Sequence, residues 1–112
     1  PSALTAALSI AGISSTDFLF LGFLPHKKGR QTLFKAIAKE ERTVVFYESP
    51  HRILKALGSL GEGLPVGRKV IVCRELTKMF EEVVSGSASE VLEHFTTHKE
   101  AVRGEFVVIV AP

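Results

Sequence analysis

Three short apolar runs constrain this chain most: Phe18-Leu19-Phe20-Leu21, Thr43-Val44-Val45-Phe46-Tyr47 and Val70-Ile71-Val72-Cys73. Consecutive apolar, β-branched or aromatic residues, without polar alternation, suit strands covered on both faces. Such strands need helices layered against the sheet, which restricts the fold to the α/β class. The intervening segments supply those helices. Leu33, Phe34 and Ile37 mark an amphipathic helix over about Arg30 to Glu41. Ser49 is placed to cap the next helix, with Pro50 at its first position and Ile53, Leu54, Leu57 and Leu60 as its buried stripe. Ahead of the first run, Leu4, Ala7, Leu8 and Ala11 recur at helical spacing, so Ser2 to Ala11 reads as a helix closed by Gly12. Gly58 to Gly67, with four glycines and Pro65, reads as an extended loop.

Beyond Cys73 the pattern changes. Only a few residues separate the third strand from Phe80 to Ser85, too few for a parallel crossover, so these two strands are expected to be antiparallel. Ser87 and Glu90 form an S-x-x-E capping box before a helix with Val91, Leu92 and Phe95 inward, and Glu105 to Val110 is the last strand. The expectation is one α/β domain over residues 1–112, a mixed five-stranded sheet flanked by helices.

Composition narrows the function. Apolar residues make up 46 % and charged residues 23 % of 112, enough for an ordered core. Fourteen basic against twelve acidic residues exclude a histone-like tail. The charge is unevenly placed, however: His26 to Lys55 holds eight basic and three acidic residues, a local field able to hold an anion. Lone Cys73 allows no internal disulfide and fits a reducing cytoplasm. No apolar run is long enough to cross a bilayer as a helix. No G-x-G-x-x-G, G-x-x-x-x-G-K-[ST] or G-x-S-x-G motif is present, which sets aside dinucleotide, P-loop and nucleophile-elbow chemistry. His94 and His98 stand four apart without the glutamate of H-E-x-x-H, and no metal site is expected.

In α/β sheets ligands gather beyond the carboxyl ends of strands. Three polar clusters follow strands here: Gly22 to Arg30, Glu48 to Arg52, and Arg74 to Lys78 continuing to Phe80-Glu81-Glu82. Each also admits a structural role. Pro25 and Gly29 shape a turn, His51 and Arg52 serve as exposed first-turn residues, and Arg74 with Glu75 forms a surface ion pair worth under about 1 kcal/mol.

Taken together, Phe-Leu-Phe-Leu-Gly-Phe-Leu-Pro-x-Lys-Lys-Gly-Arg at 18–30, Val-Phe-Tyr-Glu-Ser-Pro-His-Arg at 45–52 and Cys-Arg-Glu-Leu-Thr-Lys-x-Phe-Glu-Glu at 73–82 resemble one bacterial family. It is the ribosomal RNA small subunit methyltransferase I group, cytidine 2′-O-methyltransferases of the tetrapyrrole methylase superfamily. The resemblance runs along the whole chain, and it is to the family's C-terminal half. The glycine-rich N-terminal domain of family members has no counterpart in these residues.

The resemblance implies S-adenosylmethionine held between two domains, with small-subunit ribosomal RNA (the 30S subunit) as substrate. It further implies a cytoplasmic homodimer with neither membrane nor DNA as partner. Carried over by motif, Ser2 and Ala3, Tyr47 and Glu48 of the Phe46-Tyr47-Glu48 turn, and Leu76 and Thr77 match cofactor-contacting positions. Glu48 and Leu76 depart from the tetrapyrrole enzymes, which tend to hold methionine and glycine there. Methyl transfer to a hydroxyl needs in-line positioning and a base. The base candidates are Glu48, His51, Glu75 and Lys78, while Lys27, Lys28, Arg30 and Arg52 are placed to neutralise RNA phosphates. Two other readings stay open, a small-molecule tetrapyrrole methylase and a non-catalytic binding module. The chain on its own is expected to be inactive and to bind the cofactor weakly.

Overall fold

The computed structural model describes residue 7, residues 17–75 and residues 80–112. Its strands are β1 (Phe18–Phe23), β2 (Thr43–Glu48), β3 (Val70–Glu75), β4 (Phe80–Gly86) and β5 (Glu105–Val110). Its helices are α1 (Arg30–Lys39), α2 (Ile53–Gly63) and α3 (Ala88–Thr97), followed by a 3₁₀ turn at Lys99–Ala101. The five strands form one sheet in the order β1-β2-β5-β3-β4. β1 runs parallel to β2, while β5 lies antiparallel between β2 and β3, and β4 is antiparallel to β3. The mixed α/β sheet read from the sequence is therefore the observed one.

The strand directions carry a consequence for function. Because β2 and β3 both oppose β5, and β1 follows β2, the carboxyl ends of β1, β2 and β3 open on the same edge. The first two polar clusters, and Arg74 and Glu75 of the third, stand at that edge.

Alternation along the strands feeds two cores. Val44, Phe46, Val72, Phe106 and Val108 face the helices, meeting Phe34 and Ile37 of α1, Ile53 and Leu57 of α2, and Val91 and Phe95 of α3. Phe95 stands edge-on to Phe106 at 5.5 Å between ring centroids. The opposite face buries Val45, Ile71, Cys73, Val107 and Ile109 together with Ala7. Each such side chain contributes roughly 1.5–3 kcal/mol of transfer free energy. The expected first helix, Ser2 to Ala11, lies outside the described residues except for Ala7, which is helical and fully buried.

Four local expectations differ in outcome. The capping box is present: Ser87 Oγ accepts from the Glu90 amide at 3.1 Å, and Glu90 Oε1 accepts from the Ser87 amide at 2.8 Å. The glycines at 58, 61 and 63 are helical rather than looped. Burial of Leu57 and Leu60 outweighs the propensity cost, and Gly61 lies where α2 passes Ala88 and Ser89 of α3. Ser49 does not cap α2 through its side chain. Pro50 and His51 form a turn, the Ser49 carbonyl accepts from Arg52 and Ile53, and the buried hydroxyl has no hydrogen-bond partner.

β1, expected to be covered on both faces, is an edge strand with Phe20 41 % and Phe23 60 % exposed. A register shift between Phe20 and Gly22 accounts for this. It pairs Gly22, at φ 64°, with Phe46 and brings Phe23 opposite Tyr47. Phe20 and Phe23 therefore flank the same ring of Tyr47, each 5.3 Å away between centroids.

Candidate functional site

The site is built around a buried carboxylate. Glu48 ends β2 on the helix-facing side and is 1 % exposed. Its Oε2 accepts from Arg30 Nη2 at 2.7 Å, and its Oε1 accepts from the Ser49 amide at 3.0 Å and lies 3.4 Å from Arg52 Nε. Arg30, 7 % exposed, also donates through Nη1 to the Pro25 carbonyl at 3.1 Å, with its guanidinium 5.2 Å from the Phe34 ring centre. Two charges are thus neutralised inside the protein, and together they fasten the Pro25–Arg30 loop to the end of β2 and the start of α2. Gly29, at φ 83°, lets that loop turn into α1.

This arrangement separates residues that the sequence grouped. Lys27 and Lys28 are exposed, Arg52 is half-buried, and Arg30 is the anchor beneath them. Glu48 is fully engaged in its ion pair and points under the helices. His51 is exposed on the turn above. Ser2, Ala3, Leu76, Thr77 and Lys78 lie outside the described residues.

Around the anchor a cleft of about 600 Å³ opens between α1 and α2. His26, Lys27, Arg30, Arg52 and Lys55 supply its basic wall, with Gln31, Ser59 and Glu62 completing it. Lys55 and Gln31 were not legible as site residues, because they join the cleft only when α1 and α2 pack side by side. The single signal was the excess of basic residues between His26 and Lys55.

On the other side of the same edge lies a recess of about 200 Å³, lined by Phe23, Tyr47, Glu75, Glu105, Phe106 and Val107. It unites Tyr47, a sequence-derived cofactor candidate, with Glu75, a candidate base. Glu105 stands directly opposite Glu75 in the β3–β5 register. Like charges facing each other across strands cost stability. Aromatic faces beside two carboxylates favour a cationic, partly apolar ligand. The volume is below the roughly 300–1,000 Å³ of complete ligand pockets.

The third cluster folds away from the recess in part. Arg74 pairs with Glu82, its cross-strand neighbour, at 3.3 Å and not with Glu75. Glu82 also meets His94 Nε2 at 2.7 Å, which ties β4 to α3, and His94 stacks on His98 at 4.6 Å. Among the described residues no group of three or more His, Cys, Asp or Glu side chains gathers as metal ligands. Cys73 is buried in mid-sheet, and desolvation pushes its thiol up to about 11, which leaves it without nucleophilic character near neutral pH.

With this geometry in hand, residues 1–92 match the family model for tetrapyrrole (corrin/porphyrin) methylases. The chain belongs to the tetrapyrrole methylase family.

Within that family, the chain is 40 % identical over 111 residues to the ribosomal RNA small subunit methyltransferase I of Thermotoga maritima, covering 99 % of this chain and 49 % of that protein. It is 42 % identical to the proteins of the same name from Pseudomonas aeruginosa (97 % and 39 % covered) and Mesorhizobium japonicum (100 % and 38 %). The chain thus spans half or less of the length of these relatives. The group read from the motifs at 18–30, 45–52 and 73–82 is the group these relatives carry by name. Two solved methyltransferase structures share the fold. The cobalamin-biosynthetic cobalt-precorrin-4 methyltransferase CbiF aligns with a TM-score of 0.68 at 15 % identity, over 97 % of this chain and 48 % of that one. The methyltransferase CobJ aligns at 0.66 and 19 %, over 96 % and 46 %.

Proposed function

We propose that this chain is the C-terminal domain of an S-adenosylmethionine-dependent methyltransferase that modifies the 2′-hydroxyl of a cytidine in small-subunit ribosomal RNA. One observation carries the reading. Identity to proteins named for ribosomal RNA methylation is 40–42 % along nearly all of this chain, against 15–19 % for the corrin enzymes that share its fold. The basic cleft beside the recess suits a polyanionic substrate and supports the same conclusion.

The recess fits part of the cofactor. Its aromatic walls, Phe23 and Tyr47, suit an apolar or cationic group, and the facing carboxylates of Glu75 and Glu105 complement a sulfonium. The cofactor, when bound, supplies a methyl group activated by positive sulfur. Glu75 is the one described candidate base that lines the recess, and there it would accept the proton of a substrate hydroxyl. Lys27, Lys28 and Arg52 hold the RNA backbone close by, and the Arg30–Glu48 pair fixes their loop. The second domain, which closes the cofactor cleft, and the homodimer belong to this proposal too.

The test is methyl transfer by the full gene product, with radiolabelled cofactor and small ribosomal subunits lacking the modification. The expected result is label in the 2′-O position of one cytidine. Label in a corrin or porphyrin substrate, with none in RNA, overturns the reading in favour of a small-molecule methylase. For the chain alone, calorimetry is expected to give weak cofactor binding or none.

A further inference from the structure

The basic cleft is not closed at its far end. A second cavity of about 590 Å³ shares Gln31, Ser59 and Glu62 with the first and continues along the helices past Phe34, Lys35 and Lys39 to Gly63 and Pro65. The two form one groove. Its course follows from the topology: α1 and α2 both start at the strand-end edge and run back across the sheet side by side. Gln31, Lys35 and Lys39 lie at i, i+4 and i+8 on α1, and Lys55, Ser59 and Glu62 at i, i+4 and i+7 on α2. Helical periodicity sets each trio on one stripe, and both stripes line the groove.

Charge grades along this track. His26, Lys27, Arg52 and Lys55 stand at the end of the groove nearest the strand-end loops, and the exposed Lys35 and Lys39 stand at the other end. Glu62 is the one acidic residue lining the groove. From Gln31 to Lys39 the helix rises about 12 Å, enough to follow more than one phosphate of an extended strand. The groove is flanked by lysines whose long stems let their ammonium groups follow an extended polyanion. A compact anion would need only one end.

We infer that the α1–α2 groove is a track for the RNA backbone leading to the methylated nucleotide, with Lys55 at its mouth, Lys35 and Lys39 as distal phosphate contacts and Glu62 as the residue that limits its affinity. The inference rests on the RNA-methyltransferase reading and adds to it a binding surface outside the loops at the strand ends. Contacts so far from the recess fix the register of the strand and carry no base specificity.

The experiment measures binding of the full gene product to a single-stranded RNA carrying the target segment, across a salt series, alongside methyl transfer to the small subunit. Lys35→Ala with Lys39→Ala is expected to weaken binding about threefold per lysine and to flatten the slope of log affinity against log salt by about 0.7 per phosphate lost. Glu62→Gln, which leaves the fold and every lysine in place, is expected to tighten binding, and Lys99→Ala, on the turn after α3, to leave affinity and slope alone. If the enzyme methylates ribosomal RNA while the lysine pair and Glu62→Gln bind with the parent's affinity and slope, the groove is not the track and the proposed function stands. If the parent protein neither binds nor methylates RNA, both readings fall.

Discussion

The two sides of the strand-end edge are opposite in construction. On the helix side, charge is buried and compensated: Glu48, 1 % exposed, satisfies Arg30 and approaches Arg52, and the exposed lysines rest on that neutral base. On the open side, Glu75 faces Glu105 with aromatic rings alongside and no salt bridge among the described residues, and Phe23 presents most of its surface to solvent. The first joins the Pro25–Arg30 loop to the sheet through a closed, buried ion pair. The second presents carboxylates and aromatic surface at the sheet edge.

Four measurements would break or sharpen that contrast. Glu48→Ala strands the Arg30 guanidinium in the interior and is expected to cost about 3–5 kcal/mol in denaturant unfolding. A loss below 1 kcal/mol would show that the helix-side loop is held by packing alone. On the open face, Cys73 reports on coverage. Its raised thiol predicts alkylation in the native state about a hundredfold slower than in denaturant, because the thiolate is correspondingly scarce. The same shift favours the neutral thiol in the folded chain, so this group's contribution is complete below about pH 9 and is lost as pH rises towards 11. Fast labelling at pH 8 would mean that the middle of that face opens.

Smaller effects of opposite origin are expected from two conservative changes. Gly58→Ala adds a methyl group that meets nothing within 4 Å on α2 and is expected to raise stability by about 0.5–1 kcal/mol. Glu105→Gln removes the like-charge pair and is expected to stabilise the chain by roughly 0.2–1 kcal/mol while weakening cofactor binding by the full gene product. Stabilisation with unchanged cofactor affinity would remove Glu105 from the site.

The sheet, the antiparallel β3–β4 pair and the Ser87–Glu90 capping box were all legible, because each rests on periodicity or on contacts within a few residues. Gly58 to Gly63 were misread as loop because glycine propensity is local, whereas burial of Leu57 and Leu60 and the close passage of α3 are not. The exposure of Phe20 and Phe23 was hidden for a similar reason. An apolar run looks the same at the centre of a sheet and at its edge, and the register shift at Gly22 is a property of two strands, not one.

The functional residues divide along the same line. The motifs at 18–30, 45–52 and 73–82 were enough to place the chain in its family and to name Glu48, His51, Glu75 and Lys78 as base candidates without choosing among them. They could not distinguish Glu48 as a buried anchor from Glu75 as a recess carboxylate, since both simply follow a strand. By itself the sequence determined the element order, the family and the local excess of positive charge, all of which are written in contiguous residues. Only the tertiary structure decided that β1, β2 and β3 end on one edge, that Arg30 and Glu48 cancel beneath the basic cleft and that Glu75 meets Glu105. Those facts depend on strand order and register, and they exist only once residues distant in the chain have been packed together.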